Sequence, residues 1–145
     1  METLDQRILA LLARDGRMSY TDIGKETGLS TSAAQQRVRR LEQRRVIKGY
    51  RAVLESSELG LLVTAFVSIK PFDPGQPDDA PDRLQHINEI ISCYSVAGEH
   101  SYLLKVQVPS MGDLESLLTR IRAYGKVSIH TTTVLSTPYE DRPQV

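Results

Sequence analysis

Apolar residues recur at helical spacing from the start of the chain. Leu4, Ile8, Leu11 and Leu12 fall at i, i+4, i+7 and i+8, one stripe of an amphipathic helix. Asp15-Gly16 ends the stripe, and glycine there suits a left-handed C-terminal position. A second, short helix opens at Ser19 or Tyr20, keeps Ile23 and Gly24 on its inner side, and stops at Thr27-Gly28. Ser30 caps a third helix, its hydroxyl accepting from the free N–H groups of the first turn. That helix runs to about Arg44, with Ala34, Val38 and Leu41 at i, i+4 and i+7. Helix, glycine-containing turn, helix over residues 20–44 is the order of a helix-turn-helix.

After Arg45 the period changes. Val46 to Leu54 alternates and predicts a strand that serves as a wing or a linker. Glu55 to Gly60 reads as a loop. Thr64 to Lys70 alternates again, with Ala65, Val67 and Ile69 on one face and Phe66 and Ser68 on the other. Pro71, Pro74, Pro77 and Pro81 then punctuate a loop. A helix is expected from Asp82, with Leu84, Ile87 and Ile91 inward, followed by a strand over Ser92 to Ala97. Gly98-Glu99-His100 makes a tight connection to a strand over Tyr102 to Val108. Ser110 caps a helix with the stripe Met111, Leu114, Leu117, Leu118 and Ile121, and Val127 to Leu135 is a last strand.

The order β-α-β-β-α-β predicts a ferredoxin-like domain, an antiparallel sheet of four strands with both helices on one face. The fold class is α+β. An N-terminal winged helix-turn-helix with its linker strand takes residues 1–54, a hinge 55–63, and the ferredoxin-like domain 64–145. One sheet face is bare in a single chain and carries Thr131, Thr133 and Leu135 or their alternates, which predicts association with another copy.

Composition narrows the function. With 40% apolar and 25% charged residues over 145 positions, the chain can bury a core without staples. The single cysteine, Cys93, excludes an intrachain disulfide and a Cys-based zinc site, and it reads as a small buried hydrophobe. The longest near-apolar run, Leu59 to Ile69, is 11 residues and holds Thr64 and Ser68, whereas a spanning helix needs about 20 apolar residues. The start Met1-Glu2-Thr3-Leu4-Asp5 is acidic, unlike a secretory signal. A cytoplasmic protein is expected. No pair among His86, His100 and His130 has the spacing of a helical metal site. His130 is expected on a strand at an interface and His86 on a helix surface. No phosphate loop and no nucleophile-base pattern is present, so neither a metal site nor catalytic residues are assigned.

Charge adds a direction. Net charge is zero, but residues 1–60 carry 11 basic against 8 acidic groups and residues 61–145 carry 7 against 10. From Thr31 to Arg51, Arg37, Arg39, Arg40, Arg44, Arg45, Lys48 and Arg51 stand against Glu42 alone, a net of +6. Such a block is the footprint of a polyanion binder. With Ala34, Val38 and Leu41 buried, Ser32, Gln36, Arg39 and Gln43 point away, flanked by Gln35 and Arg40. Arginine bonds bidentately to guanine and glutamine to adenine, so these six are the candidate contacts to double-stranded DNA.

Four segments, in this order and spacing, resemble the Lrp/AsnC, or feast/famine, transcription regulators. They are Leu4-Asp5-Gln6-Arg7-Ile8-Leu9, Asp15-Gly16-Arg17-Met18-Ser19, Thr27-Gly28-Leu29-Ser30, and Arg37-Val38-Arg39-Arg40-Leu41-Glu42 leading to Ile47-Lys48-Gly49-Tyr50. The resemblance spans about residues 3–140. Pro77-Asp78-Asp79-Ala80-Pro81 and Ser92 to Glu99 resemble the actinobacterial, mycobacterial-type members. It implies a C-terminal effector-binding domain, an amino acid as effector, no other cofactor, sheet-to-sheet homodimers and assembly into octamers. The implied effector loop is Gly98, Glu99, His100 and Ser101. Many members carry Asp where this chain has Ser101, and Ser101 offers only a neutral hydrogen bond to an amino group; Glu99 or backbone carbonyls are the substitutes.

The reading is therefore a non-enzymatic, sequence-specific transcription regulator tuned by a small effector and by assembly. One alternative is an architectural protein that wraps DNA with little sequence preference. Another is a tetrapyrrole decarboxylase of related fold, which would use histidines and which the basic third helix speaks against.

Overall fold

An apolar stripe sets each of the first three helices, and side-chain caps start the second and third. The computed structural model describes all 145 residues, Met1 to Val145. Its first unit comprises Met1–Val53 together with Tyr139–Val145, its second Leu54–Pro138. In the first unit, α1 is Thr3–Arg14, α2 Tyr20–Thr27 and α3 Thr31–Gln43. Ser19 Oγ accepts from Asp22 N at 3.0 Å and Ser30 Oγ from Ala33 N at 3.1 Å, so both later helices start on a serine cap. Ile8, Ile23, Ala34, Val38 and Leu41 make the core, with Leu9, Leu12, Met18, Tyr20, Leu29 and Ile47 packed around it.

Two glycines shape the turn between α2 and α3. Gly28, at φ 75°, is the left-handed residue that ends α2. At Gly24 a Cβ would lie 2.5 Å from the carbonyl oxygen of Leu29, so only a bare backbone lets α2 approach the start of α3. Gly16 does not take the expected left-handed conformation. Asp15 closes α1 instead: it is extended at φ −144°, and its carboxylate accepts from Arg17 N at 3.0 Å.

The predicted strand over residues 46–54 does not form. The N–H groups of Val46 and Ile47 both bond to Leu41 O, and Lys48 to Leu54 have no regular structure. A strand is defined by its ladder, and no segment of the single chain pairs with this one. Val53 and Leu54 are accordingly exposed. No wing therefore accompanies the helix-turn-helix within one chain.

The segment Tyr139–Val145 folds with the helices. The main-chain oxygen of Val145 accepts from Arg14 Nη1 at 2.9 Å. The Arg142 guanidinium lies 3.7 Å from the centre of the Tyr139 ring. Gln144 and Val145 line one side of a groove whose other side is Gln6, Leu9 and Ala10 of α1 with Val46.

In the second unit a 3-10 turn, Ser56–Leu59, precedes β1 (Val63–Pro71), α4 (Ala80–Leu84), β2 (Ile90–Ser95), β3 (Tyr102–Val108), α5 (Met111–Gly125) and β4 (Val127–Thr133). The strands lie in the order β2-β3-β1-β4, all neighbours antiparallel. This is the predicted ferredoxin-like α+β arrangement. Val67 stands opposite Leu104 on one side and Thr131 on the other. The face they share buries Ala65, Val67, Ile69, Leu104, Val106 and Val108 against Leu84 and Ile87 and against Leu114, Leu117 and Ile121 of α5.

Several expected positions shift. The helix from Asp82 is only five residues, Ala80–Leu84, with Pro81 in its first turn. Ile87 is buried just beyond it, but Ile91 is 48% exposed because β2 has already begun. A register irregularity between Ile90 and Ser92 lets β2 enter the sheet there. Met111 is exposed in the first turn of α5, ahead of the buried stripe. β4 ends at Thr133, so Leu135 lies outside it and fully exposed. Thr131 and Thr133 face the helices, opposite Val67 and Ala65. The alternates Ser128, His130 and Thr132 take the open face, with Phe66, Ser68, Lys70, Tyr94 and Leu103.

Candidate functional site

On α3 the buried stripe orients the remainder. Ser32, Gln36, Arg39, Arg40 and Gln43 are exposed, and Gln35 is half-buried at the edge of the same face. The hydroxyls of Ser30 and Ser32 are 3.3 Å apart at its first turn. Hydroxyl, amide and guanidinium groups thus occupy one continuous polar face.

Not every charge of the basic block faces out. Arg37 pairs with Glu2 at 2.8 Å and Asp5 at 3.1 Å, tying α3 to the start of α1. Hydrogen bonds to Glu2 and then Asp5 hold its pKa above the ordinary arginine value. Glu42, the one acid of the block, is half-buried beside Tyr50. Burial first, and then a hydrogen bond to Glu42, push the Tyr50 hydroxyl up to about 12. The Tyr50 ring packs on Gly16, where a Cβ would meet Cδ1 at 3.5 Å. Arg39, Arg40, Arg44, Arg45, Lys48 and Arg51 remain exposed. The one acid is thus engaged by Tyr50, while six cations are left exposed.

Gly98, Glu99, His100 and Ser101 form the connection between β2 and β3. Ser101 N donates to Ile69 O at 2.9 Å, and Ser101 O accepts from Val96 N at 3.0 Å. Gly98 has φ 150°, a conformation that favours glycine, and nothing lies within 4 Å of where a Cβ would sit. Glu99 Oε1 is 3.4 Å from Lys70 Nζ on β1. The His100 ring is 6.3 Å from that of His130 on β4.

Lys70 and His130 are the neighbours that sequence reasoning missed at this loop. Neither stands at a spacing that relates it to residues 98–101. Only the antiparallel registers, which put Ser68 opposite both Leu103 and His130, bring the strands alongside.

The remaining candidates are accounted for separately. His86 is exposed just after α4, edge-on to the Tyr124 ring at 4.9 Å. Cys93 is exposed rather than buried, because it sits on the edge strand β2 beyond the reach of the short α4. Partial burial of the thiol still pushes its pKa up. It borders a cavity of about 380 Å³ between α4 and β2, lined by Leu84, Gln85, Ile87, Ile91 and Ser92. No group of three or more His, Cys, Asp or Glu side chains is placed to hold a metal ion. No helix is long and apolar enough to cross a membrane.

Comparison with known proteins bears on both regions. An AsnC-type helix-turn-helix domain model matches residues 1–42, and an Lrp/AsnC ligand binding domain model matches residues 64–144. The chain is 49% identical over 145 residues to the HTH-type transcriptional regulator LrpA of Mycobacterium tuberculosis, covering all of this chain and 97% of that protein. It is 36% identical over 140 residues to the leucine-responsive regulatory protein of Escherichia coli K12, covering 93% of this chain and 85% of that protein. Among solved structures, a feast or famine regulatory protein from M. tuberculosis complexed with L-methionine superposes with a TM-score of 0.95. That pair is 50% identical and covers 99% of this chain and 97% of the other.

Proposed function

This chain belongs to the Lrp/AsnC family of transcriptional regulators, in its mycobacterial-type branch, and from that membership we propose that it reads specific DNA sites with α3 and answers to a free amino acid bound at residues 98–101. It is a DNA-binding regulator with a ligand-binding domain, and not an enzyme. Its place of action is the cytoplasm.

One observation carries the DNA reading. α3 turns an uninterrupted polar face outward, from Ser32 through Gln35, Gln36, Arg39 and Arg40 to Gln43, while its acid, Glu42, is engaged by Tyr50. Base edges are read by groups of this kind, and the surrounding cations supply the phosphate contacts. The effector reading rests on the open Gly98 and the charged neighbours of the loop. The M. tuberculosis relative solved with L-methionine makes an amino acid the class of ligand to expect. Two copies cover each other's open sheet face, and dimers assemble further into octamers, so that ligand and assembly state are coupled. A ligand shifts such an equilibrium only by its differential affinity for the states.

Fluorescence anisotropy with cognate and random duplexes at matched salt tests the reading. Arg39→Ala is expected to cost about 1–3 kcal/mol on cognate DNA, as for loss of a bidentate base contact. Gln36→Ala should relax discrimination at one base pair. Wild-type binding by both variants removes α3 from the interface. Equal affinity of the unaltered protein for cognate and random DNA favours the architectural alternative.

A further inference from the structure

We propose that Lys70 is an effector-site residue, binding the α-carboxylate of the amino acid while Glu99 binds its ammonium group. The proposal rests on residues 98–101 being the effector site. It adds a residue from β1 to that loop and assigns each ligand charge to a side chain.

The loop backbone offers only neutral N–H groups to a carboxylate, and one of them is already used. Ser101 N donates to Ile69 O, and Ser101 O accepts from Val96 N. The Ser101 side chain is neutral, so it supplies no ion-pair partner for an ammonium group either. A full opposite charge for each ligand group must therefore come from other side chains. Lys70 Nζ and Glu99 Oε1 stand 3.4 Å apart, one of each sign, beside the loop.

Their exposure makes them exchangeable. The side chains are 40% and 79% exposed, and an exposed pair of this kind holds itself together weakly. A free amino acid carries both charges on one carbon atom. On entry, Lys70 exchanges the Glu99 carboxylate for the ligand's, and Glu99 exchanges the Lys70 ammonium for the ligand's. No charge is left unpaired in the bound state, which avoids the cost of an isolated ion.

Space and flanking groups agree with this placement. Nothing lies within 4 Å of the Cβ position of Gly98, so the loop side is open to the ligand. Lys70 and Ser68 share the open sheet face, and Ser68 is opposite His130. His130 is therefore a diagonal neighbour of Lys70, and its ring is 6.3 Å from that of His100. Two imidazoles thus flank the charged pair and offer polar, flat surfaces to the ligand's side chain.

Calorimetry on the full chain tests the assignment. The common L-amino acids are titrated first; for the tightest binder, its amide and its deaminated acid follow. In the unaltered protein each analogue should bind at least tenfold more weakly than the amino acid. In Lys70→Met the amino acid and its amide should bind equally, and Lys70→Arg should restore the difference. In Glu99→Gln the amino acid and its deaminated acid should bind equally. A Lys70→Met protein that still rejects the amide as the unaltered protein does overturns the proposal, while the loop reading stands if Gly98→Asp abolishes binding. No binding by any amino acid, or unchanged binding in Gly98→Asp, overturns the loop reading and this assignment together. Far-UV circular dichroism and a cooperative thermal transition like those of the unaltered protein establish that the Lys70 and Glu99 variants are folded.

Discussion

Arg37 stands in the middle of a basic run yet turns its charge inward to Glu2 and Asp5. The sequence gives no sign of this, because the two acids lie more than thirty positions away on another helix. Tyr50 is the complementary case. Its hydroxyl, held up to about 12 beside Glu42, favours the neutral form in the folded state. A folded-state value above the unfolded one, near 10, means that this stabilisation is complete below pH 10 and is lost as pH rises from about 10 through 12. Absorbance titration of tyrosinate should therefore show one late component that Tyr50→Phe removes. Glu42→Gln should bring that component to lower pH.

At the scale of elements, what was legible was local. The three helices, and the serine caps of α2 and α3, follow from spacing and from residues within one turn of each helix end. The DNA-contact candidates of α3 follow from the same stripe, since a helix that buries Ala34, Val38 and Leu41 has no choice about its outer face. The segment 46–54 was misread because alternation signals a strand only where a ladder partner exists, and partners are set by tertiary structure. α4 was overextended for a related reason: Ile87 and Ile91 fit a helical stripe, but β3 offers the chain a pairing from Ile90 onward. The joint between α2 and α3 gives a sharp test. Gly24→Ala places a methyl group 2.5 Å from the Leu29 carbonyl oxygen, so α3 must move. The cost should be about 1–3 kcal/mol of stability, as for overpacking elsewhere. Chemical denaturation measures it, and DNA affinity should fall with it because the reading helix is displaced.

For the whole molecule, the sheet poses the question of partners. Phe66, Tyr94 and Leu103 lie on a face that neither helix of the sheet unit covers. Apolar groups on a face flanked by polar ones mark association surfaces. Light scattering at micromolar concentration should find a dimer or a larger species, and Leu103→Asp should shift it toward monomer. A monomeric unaltered protein would remove the proposed coupling of ligand to assembly. The proposed effector loop was only half legible in the sequence, since the family resemblance implies Gly98 to Ser101 but Lys70 and His130 arrive through strand register.

The helical unit draws in residues from far along the chain. Its three helices emerge first, yet Tyr139–Val145, which meets Arg14 and lines the groove on α1, follows only after the entire sheet has been synthesised. Domains that are continuous in sequence can finish folding as they emerge. Here one flank of α1 stays bare until the ligand-binding half has been made. A nascent or prematurely ended chain therefore carries the three helices without the segment that lines the α1 groove. By the same reasoning, a fragment cut at Val53 is a different folding unit from the one the full chain builds.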